Sequence, residues 1–303
     1  MDSFNHQFIY SVIIVGLGYI LKQTKVIKER DGEGIARVIF NLTLPSLIII
    51  TFNNMTIDTS LILLVFISIG YGLISGFLGL LLFKNQQRQI RGTMAMMVPG
   101  VNIGLFAFPL VEGLWGKDGL AYFGMFDIGN AFMVFGLSYL IGSFYSVEST
   151  SFSVKTILLK MSKSIPFMTY ISVFVINLAG LHLPVLLTDV SGLIAKANMP
   201  LSLLLLGIYL NFTFDKTYLP LIVRFLGLRY GVGLAVGVTL FYTLPFNELF
   251  RYTVLISFIL PTSMSVLPYS VEFNYDRRMV GTVSNMTMVI SFVLMWVIAN
   301  ILI

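Results

Sequence analysis

The chain has 303 residues, 57% hydrophobic and 11% charged, with a formal net charge of +5 and a mean hydropathy of +0.90. A soluble domain carries about a quarter of its residues as charges, so too little polar sequence is present to cover a globule, and a protein that crosses a membrane many times is implied. The absence of cysteine excludes disulfides, thiol catalysis and cysteine-ligated metals.

A helix needs about 20 apolar residues to cross a bilayer. Windows of that kind fall at 7–22, 34–53, 59–83, 92–115, 119–145, 157–180, 188–212, 221–243, 247–273 and 278–302, ten in all. The first has no basic region before its apolar run and no small-residue cleavage site, so it is expected to be retained as a span. The second contains NLTLPSLII (Asn41–Ile49) and the third a glycine-rich face. The fourth reads MVPGVNIGLFAFPLVEGLWG (Met97–Gly116), with Pro99 and Pro109 on either side of Asn102. The fifth carries Asp127 and Asn130. A short Ser- and Lys-rich linker, Ser146 to Ser164, leads to the sixth. The seventh contains KANMPLSLLLL (Lys196–Leu206). The eighth has Arg224 and Arg229 in its first turns, so its start is expected to lie along the interface. The ninth reads LPTSMSVLPYSVEFNYD (Leu260–Asp276), again with two prolines, Pro261 and Pro268, and the tenth carries Asn285.

The basic residues sit in every second loop, after windows one, three, five, seven and nine, whereas the alternate loops hold only Lys117 and Arg251. Basic loops stay cytoplasmic, so both termini are expected outside a cell membrane that the chain crosses repeatedly. Five spans in each half, 1–150 and 151–303, require the second half to be inverted relative to the first. An ordered series of matches supports such a duplication. Asn102 precedes Pro109 by seven residues, and Pro261 precedes Pro268 by seven. Glu112 and Glu272 follow, then Asp118 and Asp276, and nine residues beyond each aspartate lie Asp127 and Asn285.

The ordered set RVIFNLTLPSLII, NIGLFAFPL, ANMPLSLLLLGIYL and LPTSMSVLPYSVEFNYD resembles the auxin efflux carrier family, which includes bacterial permeases for malate, malonate and similar acids. The resemblance runs along nearly the whole chain. It implies an all-α integral membrane protein of ten transmembrane helices in two inverted five-helix repeats, with helices 4 and 9 crossing at their breaks. It further implies a scaffold bundle (helices 1, 2, 6 and 7), a transport bundle (3, 4, 5, 8, 9 and 10) and a substrate-site role for Asn102. Helices 2 and 7 form the dimer contact in plant relatives, which makes a homodimer through them an expectation. The long cytoplasmic loop of plant members is absent, so this chain resembles the short bacterial branch.

The residues themselves point to an anion site. Proline removes an N–H and clashes with the preceding turn, so Pro99, Pro109, Pro261 and Pro268 should interrupt their helices. In lipid, such breaks persist only where they are buried or line a wet cavity. Two interrupted helices in matching positions mark the substrate site of a secondary transporter, with half-helix N-termini aimed at anionic groups. Asn102 can donate to a carboxylate, and Asn130 and Asn285 can line the same cavity. Asp127 is an acid at membrane depth, where such groups are functional by default. It can bind a coupling proton, position Asn130 or meet a cation. Glu112 and Glu272 either couple protons as a pseudo-symmetric pair or sit at the rim of an aqueous vestibule. Coupling to H+ and to Na+ both remain open.

No phosphate-binding loop, zinc-protease helix or serine-hydrolase elbow is present, so neither ATP-driven transport nor enzymatic chemistry is expected. No cofactor, metal or nucleic-acid partner is expected. The reading is a secondary carrier of a small organic anion, a mono- or dicarboxylate such as malate or malonate, working by alternating access. The alternatives are a sodium-coupled or uniport carrier of an amphipathic or auxin-like acid, and a non-transporting membrane sensor.

Overall fold

The computed structural model describes residues 2–53, 55, 59–146, 154–211 and 216–302. The described residues are helical throughout, with one isolated antiparallel bridge and no strand. They form two compact units, one of residues 1–58, 104–124 and 161–210 and the other of 59–103, 125–160 and 211–303.

In the first unit, α1 (Asp2–Gln23) packs on α11 (Asn198–Tyr209). The approach depends on Gly207, where a Cβ would lie 2.0 Å from the Val15 carbonyl oxygen. Small residues let helix backbones approach this closely in membranes. Gly207→Ala is therefore expected to destabilise the unit by about 1–3 kcal/mol, read as a lower melting temperature in detergent; an unchanged Tm would refute the contact. The second window forms α2 (Gly32–Val38), a π-helical turn at Ile39–Thr43 and α3 (Leu44–Phe52). The wide turn lies directly before Pro45, where a normal turn would bring the ring against a carbonyl. The same device recurs at Ile103–Ala107, directly before Pro109 in α6 (Phe108–Ala131). Asn198 and Thr43, both buried, join α11 to the first π-helical turn through a 3.0 Å hydrogen bond.

The second unit holds α4 (Thr59–Leu82), α5 (Arg88–Met96), α7 (Tyr139–Tyr145), α12 (Leu219–Thr243), α13 (Glu248–Phe258), α14 (Val266–Glu272) and α15 (Arg277–Leu302). Its core gathers Phe83, Met94–Val98, Tyr139, Phe225, Val266, Tyr269, Phe273 and Val283.

Large apolar side chains remain outside on both units. Leu186 is 75% exposed and Leu193 69% in the first, Phe66 64% and Phe77 61% in the second. At about 25 cal/mol per Å² of apolar surface, such a surface belongs in lipid. Among the described residues six helical stretches are long and apolar enough to cross a membrane, and a seventh if one pair bent by 82° counts as a span.

That bent pair corrects one expectation. The window 157–180 is not a single helix: α8 (Val154–Lys163) ends at Ser164, and α9 (Ile165–Leu178) starts anew. Ser164 caps the new helix by accepting from Phe167 N, and Pro166 occupies its first turn. The seventh window also divides, into α10 (Val185–Ala195) and α11, with Lys196 exposed at the join. Within α6, Gly116 adopts a positive φ of 56° and separates the fourth window from the fifth. A third correction concerns Arg229. It does not belong to a basic interfacial flank; α12 runs unbroken through it, and its side chain is buried.

Candidate functional site

The second unit contains both helix interruptions. α5 ends at Met96, and the chain runs non-helically past Pro99 to Asn102 before helical backbone resumes at Ile103. α13 ends at Phe258, passes Pro261 in the same manner and resumes as α14 at Val266. The two interruptions pair as an antiparallel bridge between Val101 and Thr262. Asn102 N donates to the Pro261 carbonyl at 2.9 Å, and Ser263 N donates to the Gly100 carbonyl at 3.2 Å. Gly100 is required at the crossing: a Cβ there would lie 2.7 Å from Val134 and 3.3 Å from Ser263.

Buried backbone of this kind must find partners for every polar group. Side chains from neighbouring helices supply them. The Asn130 amide accepts from Val101 N and donates to the Val101 carbonyl, both at 2.9 Å, so one side chain completes that residue's pairing as a strand would. Asp127 Oδ1 accepts from the same Asn130 Nδ2 at 3.0 Å and fixes which way the amide faces. Thr287 plays the matching part for the second interruption, accepting from Thr262 N at 3.3 Å. At the end of α13, Tyr71 donates to the Phe258 carbonyl at 3.1 Å and Ser291 to that of Ile259 at 2.6 Å. Thr262 Oγ1 donates to the Met97 carbonyl at 2.6 Å.

Arg229 reaches both interruptions from α12 and is only 3% exposed. Its Nε and Nη2 donate to the Leu260 carbonyl at 3.0 and 2.8 Å. Its Nη1 donates to Val98 at 3.2 Å and to Met97 at 3.5 Å, and its Nη2 to Gly100 at 3.3 Å. All of these partners are main-chain carbonyls: Met97, Val98 and Leu260 just past the C-terminal ends of α5 and α13, and Gly100 in the paired crossing.

Of the residues singled out from the sequence, Pro99, Asn102, Asn130, Asp127 and Pro261 thus meet in one place. Pro268 lies in the first turn of α14. Pro109 and Glu112 lie in the first turns of α6, within the first unit, where Glu112 Oε2 is buried and has no partner among the described residues. Glu272 ends α14 and takes Lys160 at 2.9 Å and the Tyr139 hydroxyl at 2.6 Å. The Asn285 side chain turns to the backbone of Asn211 and Gly281, at 3.1 and 2.9 Å. Sequence reasoning missed Arg229, Thr262 and Thr287. Arg229 did carry a signal, a charge ten residues inside an apolar helix and a turn deeper than Arg224, a depth that in a membrane marks function by default. The two threonines carried none.

The sequence profile of a family described as membrane transport protein matches residues 6–299. An uncharacterized transporter of Methanothermobacter thermautotrophicus is 24% identical over 286 residues, covering 93% of each chain. An uncharacterized transporter of Methanocaldococcus jannaschii is 22% identical over 309 residues, covering 95% of this chain and 97% of its own.

Proposed function

This chain belongs to the membrane transport protein family, of the auxin efflux carrier type, and on that premise we propose that it is a secondary active transporter of a small organic anion. The family is one of transporters rather than enzymes, and its apolar helices place the chain in a membrane. The proposed substrate is a mono- or dicarboxylate such as malate or malonate, carried across the cell membrane by alternating access. The proposed architecture is two inverted five-helix repeats, 1–150 and 151–303, with both termini outside. A homodimer through helices 2 and 7 is part of the same proposal.

The observation that carries the reading is the buried crossing of two interrupted helices in which Asn102 pairs with Pro261, the two positions that the proposed repeat sets opposite each other. Helix starts favour anions because their N–H groups are unpaired and their dipole ends positive. The crossing is lopsided. Asn102 stands directly before the helical backbone that resumes at Ile103, whereas α14 has only seven residues and a correspondingly small dipole. The carboxylate is therefore assigned to the Asn102 side.

Binding is tested on purified protein with dicarboxylates and their uncharged diamides. The acids should bind and the diamides should not; equal binding would refute an anion site. Asp127 is the proposed proton carrier, because its bond to Asn130 ties its charge to the clamp on Val101. Asp127→Asn is expected to lose accumulation driven by a pH gradient while keeping substrate exchange. Retained pH-driven accumulation would leave Asp127 with a purely positioning role.

A further inference from the structure

Where two helices stop at one point, their C-terminal ends bring negative partial charge together. Each end is equivalent to about −0.5 of an elementary charge, so α5 and α13 jointly present about −1 in a buried place. Exposed carbonyls at such ends are what coordinates Na+ in many secondary transporters. Here those carbonyls belong to Met97, Val98 and Leu260, and Arg229 donates to every one of them and to the Gly100 carbonyl in the adjoining crossing. The other donors at these ends, from Tyr71, Thr262, Ser263 and Ser291 among others, are neutral. Neutral donors satisfy a lone pair but do not cancel a net charge. One guanidinium does, and its planar fork holds carbonyls from two chain segments at once where an ammonium would hold a point. Its charge is permanent.

We propose that Arg229 is a tethered cation occupying the place of a coupling sodium ion at the helix crossing, so that this protein needs no Na+ to assemble its binding site. The inference rests on the transporter reading and deepens it by removing sodium from the drive. An ion fixed to α12 neutralises the helix ends but cannot be released down a gradient. The energy for accumulation must then come from a proton, from the membrane potential or from exchange.

The test uses Na+ itself as the probe, on the full-length protein in detergent. Melting is compared in NaCl and choline chloride at equal ionic strength. The wild type is expected to melt at the same temperature in both. Arg229→Ala is expected to lose stability in choline chloride and to recover at least half of that loss in NaCl, as Na+ enters the vacated carbonyl cluster. Arg229→Lys, which restores the charge, is expected to show no preference between the salts. A wild-type Tm raised by NaCl would overturn the proposal. So would an Arg229→Ala protein equally destabilised in both salts, the outcome for a mere strut. Should Arg229→Ala fail to fold, Arg229→Gln, which keeps two donors without the charge, carries the same arm. No carboxylate enters this measurement, so its outcome is separate from that of the anion-binding test.

Discussion

Replacing Asn130 by Leu is expected to cost a large share of the protein's net stability. The substitution takes both partners from Val101 at once, the acceptor for its N–H and the donor to its carbonyl. Leaving one buried polar group unpaired costs about 1–3 kcal/mol, so the pair costs about 2–6 kcal/mol. Native proteins hold only about 5–15 kcal/mol in reserve. Asn130→Asp keeps the acceptor for Val101 N and should lose less. Melting in detergent checks the order wild type, Asp, Leu. An Asn130→Leu protein that melts with the wild type would show that the crossing does not depend on this clamp.

Asn102→Ala has a different expected signature: binding falls and folding survives. The crossing uses the Asn102 main-chain N–H, which donates to Pro261, and alanine keeps that bond. What is lost is the side-chain amide, assigned to the substrate carboxylate. A hydrogen bond to a charged group is worth about 1.5–3 kcal/mol, which is roughly 10- to 100-fold in affinity. A calorimetric titration with the bound dicarboxylate, read beside the Tm, separates the two effects. Unchanged affinity would remove Asn102 from the site; a collapsed Tm would make it structural.

The interruptions were legible in the sequence because proline acts locally. Pro99 and Pro261 lie in the interruptions themselves, whereas, against expectation, helical backbone runs on through Pro109 behind a π-helical turn and Pro268 is absorbed in the first turn of α14. Family membership was legible in the same segments. The partners of the interrupted backbone were not. The depth of Arg229 in its span was readable, but its partners were not, because they are carbonyls far away along the chain. Its place in the first turns of the eighth window reads as an interfacial start, and the fold buries it instead. Lys160 lies in the linker region between the halves, yet it pairs with Glu272. A surface pair of this kind is worth about 1 kcal/mol or less and leaves no pattern in composition or spacing. Ser164 shows the opposite failure. Its capping role and the following Pro166 were readable as a helix start, but the apolar window ran across them.

Asp127, Asn130 and Val101 form a short relay in which an acid orients an amide and the amide holds the crossing segment. Protonation of Asp127 would remove the charge that fixes the amide. This gives the proposed proton step a physical route to the substrate site, through atoms already in hydrogen-bond contact.

Transport by the purified protein decides whether the crossing binds and moves a carboxylate. Radiolabelled malate, malonate and citrate are offered to proteoliposomes containing the purified protein, under imposed proton and sodium gradients in turn. Accumulation of at least one acid above its external concentration, driven by the proton gradient and indifferent to sodium, is the predicted result. If none of the acids is bound or moved under any gradient, the protein is not a transporter of this class of anion.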